Sequence, residues 1–559
     1  MIIKYIYRHS IRSIFIIFLG IIIPINLLYA QHSDIDYFIE INSDKSFYVV
    51  GETIGLSIII PEFLNNETIK NDFVYCDLIS QEGNIKSTLK TKLINGEGKG
   101  QFLIPNSLKS GYYIVRAYTR KMRINPLSYA FIELRIINID DESILSAGAN
   151  QSIKLSIDSV NIDKNKIVVN GLSQKYSPNS EVNFSIKLDT VNCIPSSVSV
   201  SVIPKLAFAV NKLKTEQIGS IEIDSTVIFD EDRGFTLIAK ISNTDSSNTY
   251  NRKRIFVSVM GAKTTQTVIS DSNGYFYVSM PNIYNEHEVY ISTDTIDNNA
   301  KVFIIRDNDI YSNYLLDKEL RLTVEEKELA LLLSQSVAIN TSFFMESDIE
   351  TSKNDKETVP FYYEPDQTTV IMDYIDLPSL SMYFTEVPNG ARLFKEKKKT
   401  KVRIYGENEV PLFLNPLIMI DFVAVNDIEP ILNISPKSIN RIEVVKQYYQ
   451  LGDASFGGII NFITNNNDFG GFNFANSALM INYNFLNFYK DFDNGYLIKE
   501  SNTPDTRTTL YWCPNSDINE GEMQIKFRTS NVSTTYTLVV RGIEKSGKAF
   551  YFTEDFEVK

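Results

Sequence analysis

The chain has 559 residues and a formal net charge of −13, and its 43% hydrophobic and 12% aromatic content describes an ordered protein long enough for several domains. The acidic balance argues against nucleic acid, or any generally anionic surface, as the partner of the whole molecule. The 31 Tyr and 34 Phe favour strands, and three cysteines far apart, Cys76, Cys193 and Cys513, favour structural thiols over a disulfide framework.

In chain order, Lys4, Arg8 and Arg12 precede a mostly apolar run from Ile14 to Leu28 and then Tyr29-Ala30-Gln31. This is the layout of a secretory signal over residues 1–30, cleaved after Ala30, and it predicts an exported protein of the periplasm or outer membrane. An uncleaved anchor is the alternative, because Leu28 is large for its place before the cut. No transmembrane span is expected once the signal is removed. Asp44 to Ile60 gives two alternating strands around a Gly51-Glu52 turn, and Gly100 to Thr119 gives two more around Ser110-Gly111, the pattern of an immunoglobulin-like sandwich. Tyr48, Gly51 and Glu52, with Gly111, Tyr113, Val115, Ala117 and Tyr118, resemble the opening and closing strands of a macroglobulin-type domain of the α2-macroglobulin superfamily, here over residues 31–140. The superfamily's Gly-Cys-Gly-Glu-Gln thioester element is absent from the sequence, so covalent protease trapping is not implied.

A second β-sandwich is expected over 150–230, from Leu155 and Ile157, the Pro178-Asn179 turn and the alternation Val198, Val200, Val202. Over 231–306, Arg233 to Ile241 and the strands flanking Asp271-Ser272-Asn273-Gly274 predict a third, which resembles carboxypeptidase-regulatory domains; the Asp271 turn reads as a hairpin. Residues 307–360 are read as a helix and polar linker. Thr323 is the expected N-cap, Glu326 completes a capping box, and Leu329, Leu332 and Leu333 form a docking face.

Residues 361–475 carry the densest pattern: a helix, a strand and a charged hairpin, then Pro416 to Thr464. That last stretch predicts strand, tight turn and short strand, a helical segment entered at Ser435-Pro436, and strands Ile442–Lys446 and Gly458–Thr464 in a small mixed sheet. Ile418, Ile420 and Asp421, then Arg441, Ile442, Glu443 and Val444, then Gly457, Gly458, Ile459, Ile460 and Asn461 resemble the plug domain of TonB-dependent outer-membrane receptors. Of these, Asp421, Arg441, Ile442, Glu443, Gly457, Gly458 and Asn461 are the motif residues, with a structural role. Phe422 stands where the family has Gly, so the turn after Asp421 is expected to be reshaped. A plugged barrel needs well over 200 residues of strand, and fewer than one hundred follow Thr464. The basic run from Lys395 to Arg403 reads as a solvated hairpin, with lipid head groups or an acidic partner as alternatives. Residues 476–559 are read as connecting strands and a C-terminal immunoglobulin-like domain, from Gln524–Phe527 and Tyr536–Val540.

Chemistry-bearing residues are sparse. The mature chain has only His32 and His287, neither in a nucleophile or metal motif, and His287 reads as a loop residue. Asp140-Asp141 and Glu231-Asp232 read as surface charge, and no cofactor is expected. The fold class is therefore mainly β: tandem immunoglobulin-like β-sandwich domains plus a small α+β plug-like domain. The chain as a whole resembles exported Gram-negative envelope proteins that join macroglobulin-type domains to a receptor plug without the barrel. That resemblance implies a non-enzymatic interaction protein whose partner is an envelope or outer-membrane protein, a barrel among the options. The alternative is an accessory component of TonB-dependent uptake working with a barrel supplied in trans.

Overall fold

A computed structural model describes residues 37–559 apart from 65–72, 125, 142–165, 195–197, 211, 214–230, 232–233, 244–251, 294–299, 306–318, 345–358, 388, 475–478, 497–503, 517 and 519. The expected signal, Leu155, Ile157 and most of the polar linker therefore lie outside the described residues. The fold is mainly β, built from three sandwiches and a separate mixed sheet. Alternating apolar residues drive this, because each strand buries one set of side chains between two sheets.

In the first sandwich, the sheet of Glu40–Ser43, Thr53–Ile59 and Glu97–Leu103 faces a five-stranded sheet centred on Gly111–Thr119. The strand Phe47–Val49 belongs to the second sheet and Thr53–Ile59 to the first, so the Gly51 turn, with φ of +83°, carries the chain across the sandwich. The Asp271 turn does the same work, since Thr264–Ile269 and Tyr275–Met280 lie in different sheets; it is a corner and not a hairpin.

Strand pairing redraws two expected domains. Glu181–Leu188 pairs with Glu522–Arg528, and Ser199–Pro204 pairs with Thr535–Ile543, so the second and C-terminal modules are halves of one sandwich with a shared core. The third sandwich takes its edge strand Leu479–Asn484 from beyond the mixed-sheet segment, in register with Glu286–Thr293. Alternation identifies a strand's buried face without naming its partner, so strands that are neighbours in sequence read as one domain. The mixed-sheet segment is thus inserted into the third sandwich, and that sandwich into the second.

The helix Val324–Phe344 starts as the sequence implies. Glu326 N–H donates to Thr323 Oγ1 (3.2 Å) and Thr323 N–H to Glu326 Oε2 (2.9 Å), closing a capping box. Its buried Leu329 and Leu333 pack on Phe47, Val49 and Ile137 of the first sandwich and Ile203 and Val539 of the second. No described helix is long and apolar enough to cross a membrane.

In the mixed sheet the order is Gln367–Val370, Ile439–Val445, Ile459–Thr464, Leu417–Ile420, Val423–Val425. Leu417–Ile420 runs parallel to Ile459–Thr464, and the other pairs are antiparallel. The expected helix at Ser435 is a single 3₁₀ turn, Pro436–Ser438, preceded by a short helix, Glu429–Leu432. Alternation splits the sheet cleanly. Ile442, Val444, Ile460 and Phe462 face the helix Leu380–Glu386, while Leu417, Met419, Val445, Ile459 and Ile463 join Phe256 of the third sandwich. Both faces of the sheet are covered by its own chain.

Candidate functional site: a buried polar junction under the mixed sheet

Between the mixed sheet and the third sandwich lies an island of polar side chains. Asn461 and Glu443 project from adjacent strands at paired positions, on the face that meets the sandwich. Glu443 Oε2 accepts from the Tyr362 hydroxyl (2.5 Å), Oε1 accepts from Arg441 Nε (2.7 Å), and Asn461 Nδ2 donates to the Tyr362 oxygen (2.9 Å). Asn461 Oδ1 in turn accepts from Phe422 N–H (3.3 Å). Burial, reinforced by the neighbouring Glu443 carboxylate, pushes the Tyr362 hydroxyl far above the ordinary phenol range, so it remains a donor.

Asp421 and Phe422 form the two-residue turn between Leu417–Ile420 and Val423–Val425, with φ of +45° and +67°. The turn keeps the twist of a tight hairpin and accepts a strained Phe, which corrects the expectation of a reshaped turn. Three contacts explain why. Phe422 is 7% exposed and lies over the Tyr362 ring (centroids 6.1 Å apart), its carbonyl accepts from Thr265 Oγ1 (2.7 Å), and its N–H is taken by Asn461. The Asp421 carboxylate accepts from Thr464 N–H (2.8 Å), Thr464 Oγ1 (2.6 Å) and Phe469 N–H (2.9 Å), fixing the next loop to the turn.

Gly457 and Gly458 shape the far end. A Cβ on Gly457 would stand 2.1 Å from the Leu414 carbonyl oxygen, and one on Gly458, at φ of +88°, 2.4 Å from that of Val445. Ile442 is a core residue on the opposite face. The structure thus brings Arg441, Glu443 and Asn461 to one side of the sheet, sets Asp421 in the turn at its end, and leaves Ile442, Gly457 and Gly458 to pack it. Sequence reasoning missed Tyr362, hidden in a run of aromatics, and the hydroxyls of Ser258, Thr265 and Thr267. Those hydroxyls bond to Ala424 N–H, the Phe422 carbonyl and the Leu451 carbonyl across the junction.

Chemically the junction is saturated. Its carboxylate, phenol and amide bond to one another beneath a covered face, so they hold the turn in place. A second polar region, a cleft of about 290 Å³ between the first sandwich, the long helix and the segment around Trp512, is lined by Glu52, Asn340, Tyr489, Arg507 and Trp512 among others. Its charges are also spent internally: Lys45 pairs with Glu52 (2.5 Å), Arg507 with Asp505 (2.6 Å), and Asp44 accepts from Tyr48 (2.7 Å) and Gly55 N–H (2.8 Å). Burial nevertheless raises the Asp44 carboxyl above its usual value.

His287 sits in the strand Glu286–Thr293 and not in a loop, with its ring nitrogens 3.1 and 3.0 Å from the carbonyls of Met260 and Tyr284. Glu231, read as surface charge, is buried, bonded to the Tyr75 hydroxyl (2.8 Å) and paired with Arg120 (3.3 Å). Cys76 and Cys193 are buried free thiols. Among the described residues no group of three His, Cys, Asp or Glu stands close enough to hold a metal ion.

No family model matches the chain, and no curated protein matches it. Solved structures that resemble it include Salmonella alpha-2-macroglobulin reacted with methylamine, at 8% identity and a TM-score of 0.22, over 93% of this chain and 39% of that one. Escherichia coli alpha-2-macroglobulin activated by porcine elastase follows at 9% identity and a TM-score of 0.23, over 94% of this chain and 44% of that one. A DUF4785 family protein from Legionella pneumophila shares 11% identity at a TM-score of 0.13, over 31% of this chain. The chain spans about two fifths of the length of the macroglobulin structures. At these identities and scores the likeness says nothing of what the chain binds or does.

Proposed function

We propose that this is a non-enzymatic binding protein of the cell envelope, in which β-sandwich modules hold a receptor-plug-like sheet and offer its outer end to another envelope protein. One observation carries the reading. With both faces of the sheet covered, its end still exposes Phe413 (73%) and Tyr448 (55%) together with Val410 and Leu414, and Phe413 N–H lies 3.3 Å from the Tyr448 hydroxyl. Aromatic residues left in water beside a rigid sheet suit a partner surface, whereas the polar groups that could do chemistry are enclosed and mutually bonded.

A photo-crosslinking amino acid at position 413, in intact cells, tests this. Recovery of one envelope protein, lost when Tyr448 is changed to Asp, supports the reading. Labelling no higher than at an exposed control position refutes it. A barrel as the recovered protein would favour an accessory role in TonB-dependent uptake with the barrel in trans. Fractionation that leaves the protein in the cytoplasm would overturn export by a signal cleaved after Ala30.

A further inference from the structure

The hairpin Ala391–Glu396 and Lys399–Ile404 is a two-stranded sheet apart from the main one. Ala391, Val402 and Ile404 bury its inner face. On the outer face the cross-strand pairs are Arg392 with Arg403, Phe394 with Lys401 and Glu396 with Lys399. Two arginines directly opposite each other repel. Here each guanidinium lies over a ring, Arg392 above Tyr405 (4.6 Å) and Arg403 above Phe394 (4.5 Å). The rings hold the two planar forks on the exposed face.

Carboxylates offset only part of the charge. Glu409 meets Arg392 (3.0 Å) and Glu396 meets Lys401 (2.6 Å), while Lys395, Lys397, Lys398 and Lys399 crowd the tip. At that tip Lys397 and Lys398 take φ of +47° and +70°, where Asn-Gly would be free of strain. A chain of net charge −13 concentrates its cations here at a conformational cost.

The backbone adds a second cue. Thr400 N–H turns outward to Glu429 (2.9 Å), and the Ile404 carbonyl turns outward to Leu412 N–H (2.9 Å), so that edge of the hairpin is occupied. By the alternation of an antiparallel pair, Leu393 and Lys395 then present their N–H and C=O to the other edge. Among the described residues no backbone group bonds to them.

We infer that this hairpin docks an acidic, extended segment of a partner protein, which adds as a third strand beside Leu393–Glu396, beyond the Ala391 N–H already taken by Asn389 (3.1 Å), and sets its carboxylates against Arg392 and Arg403. Charge selects the segment and the free edge fixes its register. A membrane surface offers anionic head groups but no backbone to pair with the edge, and the Lys397-Lys398 tip has no apolar residue to insert. This inference does not depend on the Phe413 surface.

The test uses the full chain and a fluorescein-labelled peptide of about ten residues alternating Glu and Val, a strand-length probe, read by anisotropy. The Glu-Val probe is expected to bind, a Lys-Val probe not to bind, and the Arg392→Ala/Arg403→Ala double variant to weaken binding about ten-fold. Both arginines lie on the outer face, and an unchanged circular dichroism spectrum establishes that the variant folds. A Glu-Val probe N-methylated at alternate residues is expected to lose binding, because it cannot complete the edge. No binding by the Glu-Val probe, full binding by the double variant, or equal binding by the methylated probe would each overturn the inference. Sedimentation with phosphatidylglycerol vesicles in place of peptide binding would assign the hairpin to a membrane instead.

Discussion

The strained turn at Asp421-Phe422 makes an unusually sharp prediction about Phe422. Left-handed backbone costs an L residue about 1–2 kcal/mol, and loss of a buried Phe ring costs about 3–5 kcal/mol. Phe422, 7% exposed over Tyr362, has both terms acting at once. Phe422→Ala keeps the strain and loses the ring, so it should cost the full packing term. Phe422→Gly loses the same ring but releases the strain, offset by about 0.4–1 kcal/mol from a freer unfolded chain. Glycine should therefore exceed alanine by about 0.5–1 kcal/mol, the reverse of their order in an ordinary strand. Hydrogen exchange of the Leu417–Val425 and Ile459–Thr464 amides measures the opening free energy of this sheet apart from the sandwiches. If Phe422→Ala protects those amides as well as Phe422→Gly does, or better, strain at this turn is not what the positive φ implies.

Four further outcomes follow from the same geometry. Gly457→Val and Gly458→Val should each lower stability by about 2 kcal/mol or more, since carbonyl oxygens at 2.1 and 2.4 Å must move; an unchanged melting curve for both would refute the close approach. Asp421→Ala leaves Thr464 and Phe469 donors unmet and should cost about 1–3 kcal/mol, with faster exchange at both amides as its signature. Thr323→Ala should cost the long helix about 1 kcal/mol and speed exchange in its first turn, whereas Thr323→Ser should be nearly silent. Burial raises the Tyr536 hydroxyl from 10.0 to about 12, so the folded state holds that proton after the unfolded chain has released it. This contribution is complete below about pH 10 and lost as pH rises towards 12; alkaline unfolding followed by tyrosinate absorbance should be less steep in Tyr536→Phe, and an identical pH dependence would refute it.

What the sequence discloses here is local. The capping box at Thr323 and Glu326 and the alternation in Glu522–Arg528 follow from neighbours a few residues apart, and both appear as read. The motif residues of the mixed sheet are also local, each within two residues of a strand or turn signal. Pairing is not local: Ser201 meets Val539 and Phe184 meets Ile525, and no periodicity reports a partner more than 300 residues away. The candidate site fails for the same reason. Glu443 and Asn461 are legible as motif residues on two strands of one small sheet, but Tyr362, which joins them, enters from another segment, and Thr265 from another domain.

The nested insertion bears on whether the mixed sheet can move. A sheet that works by shifting against its support needs a hinge and an uncommitted surface. This sheet is followed by Leu479–Asn484, paired over its whole length with Glu286–Thr293, and its turn is bonded to Thr265 and Ser258 beneath an apolar layer that includes Phe256. Moving it would strand buried hydroxyls and carbonyls, at about 1–3 kcal/mol each, and expose the layer as well. The arrangement favours a rigid platform over a mobile gate, and of the sheet's apolar surface it leaves Phe413 and Tyr448 at one end exposed. Disulfide locking of the sheet to the sandwich separates the two possibilities: a platform keeps its partner when locked, and a gate loses function.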